Sequence, residues 1–243
     1  MSVFGPLPKA EYVEDRIAIE NTRPLGFIVG VDLGKSQDFS ALVVNDLHVS
    51  DRVRYVRTKF DLVLGEIRRR PVLRHRLVNL HRYAKGTSYP EINRSVQGIL
   101  SQLPGRPRSP ALVVDGTGVG SPVVDAMREM GMRPVSLIIT GGDQVTNTNA
   151  TSANVPKRLL ASAIDIVLAE DRLDITAKAE ASEQLRSELQ AFRVKIRTTG
   201  SAIMEAARET DHDDLVLAAA MAVWWGETRP APAQWLYINK FRP

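Results

Sequence analysis

Phe27-Ile28-Val29-Gly30-Val31-Asp32-Leu33-Gly34 is an apolar run that ends on a carboxylate and a glycine. A short apolar run closed by turn residues reads as a strand. The turn chemistry of Gly34-Lys35-Ser36-Gln37-Asp38 follows, and Ala41 to Val44 is a second apolar run, so the pair predicts a β-hairpin. Leu112-Val113-Val114-Asp115-Gly116 repeats the pattern downstream, bounded by Pro110 and Gly116, as expected of a strand buried on both faces. Each run delivers one aspartate to a sheet edge.

Working outward, residues 74–84 predict a third strand. Residues 91–103 predict a helix, whose apolar stripe is Ile92, Val96, Ile99, Leu100 and Leu103. After the strand at 111–114, a helix over 121–130 and a strand over 135–139 make a β-α-β passage, which implies a parallel crossover. A polar loop over 140–154 is expected next, then a helix over 156–169, a short strand over 173–175 and a helix over 177–190. Alternation over Phe192–Arg197 predicts a strand, and Asp213–Trp225 a closing helix. A meander of three strands, then parallel strands with flanking helices, describes an α/β sandwich around a mixed sheet with helices on both faces. Residues 1–24 read as a leader or linker, 25–226 as the domain and 227–243 as a tail.

Composition narrows the chemistry. The chain has 243 residues, a formal charge of +4 and a sequence pI near 9.5, a balance that favours polyanionic partners. It has no cysteine, which excludes disulfides, thiolate metal sites and a cysteine nucleophile; any metal must sit on oxygen or imidazole ligands. No stretch approaches the roughly 20 apolar residues of a membrane span, so a soluble cytoplasmic protein with no membrane partner is expected.

The third acidic piece is Asp211-His212-Asp213-Asp214, at the start of the alanine-rich Leu215-Val216-Leu217-Ala218-Ala219-Ala220-Met221-Ala222. One reading is helix capping, since acids favour the positive end of the helix dipole. The other is a cation site, because capping needs one acid and a cluster of three is costly unless a cation neutralises it. Helical spacing sets Asp214, Ala218, Met221 and Trp225 on one face, where Ala218 lets the helix press on a sheet and aims Asp214 at the strand ends. Hard divalent cations take oxygen ligands, and a two-metal site suits phosphodiester hydrolysis. In that reading Asp115 bridges two Mg2+ or Mn2+ ions, Asp32 and Asp214 each complete one shell, and Asp213 supplements them with His212 nearby. Either Asp213 or Asp214 can be the direct ligand.

At these residues the sequence resembles the nuclease domain of the tailed-phage terminase large subunit, within the RNase H-like and retroviral integrase superfamily. The resemblance runs from about Gly26 to Trp225. It rests on Val-Asp-Leu-Gly with Asp38-Phe39-Ser40-Ala41, on Val-Asp-Gly-Thr-Gly-Val-Gly with Val124-Asp125, and on His212-Asp213-Asp214-Leu215-Val216. It implies an RNase H-like fold, two Mg2+ or Mn2+ ions held by Asp32, Asp115, Asp213 and Asp214, and cutting of concatemeric viral double-stranded DNA during packaging in the host cytoplasm. Asp38, Asp211 and His212 are auxiliary candidates. Too few residues precede Asp32 for a packaging ATPase, so an isolated or stand-alone nuclease is expected, with a packaging ATPase and a portal as partners. Gly30-Val-Asp-Leu-Gly34-Lys35-Ser36 is one residue short of a phosphate-binding loop.

Between Arg52 and Lys85 stand 11 Lys/Arg against 2 Asp/Glu. Arg68, Arg69, Arg70, Arg74 and Arg76 there are candidates for phosphate contacts that read no sequence, or they belong to a solvated basic hairpin. Arg193, Lys195 and Arg197 on the predicted strand form a second candidate patch. Lys157 and Arg158 open a helix where a phosphate would relieve their conflict with the dipole. The leading expectation is a two-metal endonuclease with little sequence specificity. The alternatives are a structure-selective nuclease resembling Holliday-junction resolvases, a relative of the actin-like ATPases, and a non-catalytic DNA-binding adaptor of a packaging motor.

Overall fold

The computed structural model describes residues 12–34, 38–58, 63–64, 69–118, 120–176, 180–199 and 213–229, with side chains for all of these except 12–19, 53–58, 63–64, 69–70, 180, 191 and 193–199. The first half holds β1 (Tyr12–Asp32), β2 (Ala41–Thr58), β3 (Val63–Leu64), β4 (Arg69–Arg82), α1 (Tyr89–Gln102), β5 (Ala111–Asp115) and α2 (Gly120–Glu129). The second holds β6 (Pro134–Thr140), β7 (Ser152–Pro156), α3 (Lys157–Ala169), β8 (Leu173–Ile175), α4 (Glu180–Thr199) and α5 (Asp214–Thr228). No helix among the described residues is long and apolar enough to cross a membrane.

The strands form one sheet in the order β7-β6-β5-β1-β2-β4-β8, with β3 beside β2. β5 pairs parallel with β1, β6 with β5, and β7 with β6. On the other side of β1 the sheet continues with β2. The N–H of Tyr83, just past β4, donates to the carbonyl of Ser40, just before β2, at 2.9 Å, so β4 runs antiparallel to β2. An antiparallel meander continued by parallel strands is the RNase H-like mixed sheet expected from the sequence. The chain divides into two compact units. One comprises 1–23, 49–72 and 232–243; within it Asn21 Nδ2 donates to Asp51 Oδ2 at 2.9 Å. The other comprises 24–48 and 73–231, and the rest of the description concerns it.

Alternation along β1 assigns its two faces. Phe27, Val29, Val31 and Leu33 join Leu42, Val44, Leu112 and Val114 under Ile92 and Val96 of α1 and Val123, Val124 and Met127 of α2. Ile28, Gly30 and, by the same period, Asp32 face the opposite layer, where α5 lies. A Cβ on Gly30 would run into the carbonyl of Ala218, and Ala222 stands just beyond it. Glycine on the strand and alanine on the helix together allow this close approach. Leu215 through Trp224 are buried on every side, which is why α5 shows no polar face.

The far end of α5 is tied into the sheet by polar groups. Glu227 accepts from Arg172 Nη1 at 2.7 Å and Nη2 at 3.0 Å, and shares a 2.9 Å hydrogen bond with His75 Nε2. Asn45 Nδ2 lies 2.8 Å from His75 Nδ1, so the network assigns the ring proton to Nε2. Burial alone would push the Glu227 carboxyl up, but the bonds from His75 and Arg172 outweigh it and hold it down at about 2.

Three expectations need correction. Phe192–Arg197 is not a strand but part of α4: Leu185, Leu189 and Phe192 are buried at successive helical spacings, so the repeat begun upstream overrides the local alternation. The strand face assumed for Arg193, Lys195 and Arg197 therefore does not exist. The loop expected over 140–154 ends in β7, whose Ser-Ala-Asn-Val is too short and polar to read as an apolar run and forms by pairing with β6. β1 begins at Tyr12, inside the segment read as a leader.

Replacing Gly30 with alanine is expected to destabilise the protein by about 1–3 kcal/mol through overpacking against α5. Urea unfolding checks this, and an unchanged midpoint would contradict the close approach.

Candidate active site

The register of β1 with β5, Val31 opposite Val114, sets Asp32 beside Asp115 at the carboxyl ends of two neighbouring parallel strands. Ligand sites in open α/β sheets gather at such ends. Asp32 is 7% exposed. Asp115 is half-buried and fixed by its own loop: the Thr117 N–H donates to Asp115 Oδ1, and the Ile139 N–H donates to Thr117 Oγ1, both at 2.8 Å. The two carboxyls lie within hydrogen-bond reach of each other. Burial pushes the Asp32 carboxyl well above the usual carboxylate range, and the charges of Asp115, Asp214 and Asp213 add to it against Lys157. Burial likewise raises Asp115, opposed by its bonds from Thr117 and Asp32 and by Lys157.

The start of α5 brings the other two predicted aspartates to the same edge. Asp213 occupies the N-cap position yet makes no side-chain cap bond. Its Oδ2 instead takes a hydrogen bond from Lys157 Nζ, at the first residue of α3, at 2.8 Å. Asp214 is buried, and its Oδ2 accepts from Arg82 Nη2 at 2.6 Å. Capping thus does not account for the pair. Each acid is bonded to a cation and is near enough to add its charge to Asp32.

Two site residues were missed by sequence reasoning. Arg82 ends β4, and its guanidinium lies over the Phe39 ring at 4.0 Å. On its other side Nη1 stands 3.5 Å from Oε1 of Glu188, on α4. Burial lifts the Glu188 carboxyl to about 7, with Arg82 opposing the shift and Asp214 and Asp213 reinforcing it. The available signal was the spacing of Leu185, Leu189 and Phe192, which puts Glu188 on the apolar face of its helix. An acid in that position calls for a partner.

The remaining candidates are dispersed. Asp38 is exposed between β1 and β2, and Asp211 and His212 lie outside the described residues. Arg76 pairs with Asp174 at 3.7 Å, and Arg158 with Asp143 at 2.8 Å, both at exposed positions; Arg74 is half-buried. Arg68 lies outside the described residues, as do the side chains of Arg69, Arg70, Arg193, Lys195 and Arg197.

No family model matches the chain, and no curated protein matches it in sequence. Among solved structures, the large terminase nuclease from thermophilic phage G20c is similar over 81% of this chain and 80% of that one, with 15% identity and a TM-score of 0.47. A Thermus thermophilus RuvC structure is similar over 82% and 91%, with 13% identity and a TM-score of 0.36. At values this low the fold rests on its own strand order, and the function on the site.

What the arrangement can do follows from its charges. Asp32 and Asp115 lie side by side, and Asp213 and Asp214 are near enough to add their charge to Asp32, an all-oxygen set of the kind hard divalent cations take. No group of three acids or histidines among the described residues stands ready to hold an ion, and two of the four carboxylates are occupied by Lys157 and Arg82. Burial raises both Asp32 and Asp115, and at Asp32 the neighbouring acids add to it. Because the folded state raises the Asp32 carboxyl above its unfolded value, the folded protein binds the proton more tightly, and stability falls as pH rises toward the folded value. In chelator, Asp32→Asn should therefore lose less stability than the parent between a pH in the ordinary carboxylate range and neutral pH. Urea midpoints at the two pH values test this; an equal or greater loss in the variant would refute the assignment.

Proposed function

We propose that the protein is a metal-dependent endonuclease that hydrolyses phosphodiester bonds of double-stranded DNA with little sequence specificity and cuts concatemeric phage DNA during packaging. The observation that carries this is the juxtaposition of Asp32 and Asp115, on neighbouring strand ends, with Asp213 and Asp214 at the head of the buried helix. The substrate class draws further support from the motif resemblance and from the basic balance of the chain, whose net charge is +4.

In this reading Asp32 and Asp115 hold two Mg2+ or Mn2+ ions together with Asp214 or Asp213. When bound, the ions would lower the pKa of an attacking water and stabilise the leaving oxygen of the phosphodiester. The protein's own residues supply placement. Thr117 holds Asp115 Oδ1 and so fixes the carboxylate within reach of Asp32. Gly118, in the loop after that aspartate, faces open space and leaves room for a phosphate, while Gly116 lets the loop pack against Ser136. Lys157, now on Asp213, can donate to a phosphate oxygen, which relieves a cation at the positive end of α3. A packaging ATPase and a portal are the partners that go with this role.

Plasmid cleavage tests the proposal. Nicking or linearisation is expected with Mg2+ or Mn2+ and none in chelator. Asp32→Ala and Asp115→Ala should each retain less than about a hundredth of the rate, since removing groups that merely support a metal ligand already costs about 10–100-fold. Cleavage in chelator, or full activity in both variants, would overturn the proposal.

One observation favours a second reading. The pairing of Asp213 with Lys157 and of Asp214 with Arg82 also suits a non-catalytic DNA-binding module whose acids are structural. Titration with Mn2+ separates the two, because such a module has no ion binding that depends on Asp32 and Asp115.

A further inference from the structure

The proposed chemistry leaves Glu188 unused, and its surroundings are unusual. Its side chain is 9% exposed and both carboxylate oxygens are buried; the Val216 backbone lies near enough to favour the ionised form, but no well-formed hydrogen bond reaches either oxygen. Facing it is Arg82, 12% exposed, whose Nη2 is taken by Asp214 at 2.6 Å while Nη1 stops 3.5 Å short of Glu188 Oε1. The Nε of Arg82 is likewise buried and without an acceptor. Donor and acceptor capacity therefore stands unused on both sides of one short gap. A buried group of either kind is costly to leave in that state.

The geometry points to Glu188 as a positioning residue of the site: it is the second seat of the Arg82 guanidinium, which moves onto it when a divalent cation takes Asp214. The statement rests on the cation site proposed for Asp32, Asp115 and Asp214. Arg82 is a fixed positive charge on a carboxylate that the ions need, and an arginine cannot release that carboxylate by deprotonating. It must go elsewhere, and a guanidinium driven toward solvent would leave Glu188 an uncompensated buried acid. Moving toward Glu188 instead gives the acid its donors and Nε an acceptor, in a planar fork-to-fork pair. The Phe39 ring, 4.0 Å beneath the guanidinium, offers a flat face along which that plane can shift. Glu188 sits in the third turn of α4 and Arg82 at the end of β4, so the exchange needs only side-chain motion.

Two other roles for Glu188 are possible in principle: direct ligation of an ion, and a purely structural partnership with Arg82. A double-mutant cycle on Mn2+ binding, read by electron paramagnetic resonance without DNA, distinguishes all three. In the parent protein, Glu188→Gln should weaken Mn2+ binding about tenfold, the scale on which groups supporting a ligand act. With Arg82→Gln in place, Asp214 needs no release: Mn2+ should bind at least as tightly as to the parent, and adding Glu188→Gln should change nothing. Equal weakening in both backgrounds would mean that Glu188 meets the ion itself and would overturn the inference. No change in either background would overturn it as well, by leaving Glu188 structural. If Arg82→Gln does not fold by circular dichroism, Arg82→Lys replaces it; its single ammonium cannot fork, and the effect of Glu188→Gln should shrink. A parent protein with no Mn2+ binding that depends on Asp32 would instead remove the cation site, a result distinct from all of these.

Discussion

Compensation of negative charge at the carboxyl edge of the sheet is the constraint on which this structure turns. Asp32 is shut away from water beside Asp115, with Asp213 and Asp214 across from it. Two cations, Lys157 and Arg82, answer two of the four acids and come from elements far apart in sequence, the head of α3 and the end of β4. Asp32 and Asp115 are raised first by burial, and at Asp32 the charge of its acidic neighbours adds to that. A site that costs stability when empty of positive charge is what a cation-binding centre requires, since affinity for the ion draws on the same repulsion.

The rest of the fold holds those acids in register. The glycine-on-alanine contact at Gly30 and Ala218 brings α5 against β1 and so sets the depth of Asp214 relative to Asp32. At the opposite end Glu227, gripped by Arg172 and His75, ties the helix to the sheet. An all-apolar helix has no polar face to fix its rotation or its axial position, and this pair of anchors supplies both. Thr117, joining Asp115 to the backbone of β6, does the same for the second strand end.

Much of this was legible in the chain. The two strand ends and the alanine-rich helix after Asp213-Asp214 declared themselves because burial on both faces leaves an uninterrupted apolar run, and because small residues mark close packing. Local pattern failed where pairing or continuity decides. β7 exists because β6 offers it an edge, and α4 continues through Phe192 because Leu185 and Leu189 already define its buried face. Arg82 and Glu188 were illegible for a different reason. Arg82 reads as one more cation in a basic stretch, and the spacing around Glu188 shows that this acid needs a partner but not which; only the fold makes them neighbours, with Arg82 between Glu188 and Asp214. The side chains of Arg69, Arg70, Arg193, Lys195 and Arg197, five of the ten residues expected to meet DNA, lie outside the described ones.

The central claim is that the acids of this sheet edge form a divalent-cation site. Anomalous scattering from crystals soaked in Mn2+ tests it most directly. The account predicts manganese peaks between Asp32 and Asp115, with Asp214 or Asp213 completing the ligands, and their loss in Asp115→Asn crystals. Soaked crystals with no manganese there, and with Asp214 still on Arg82 and Asp213 still on Lys157, would contradict it.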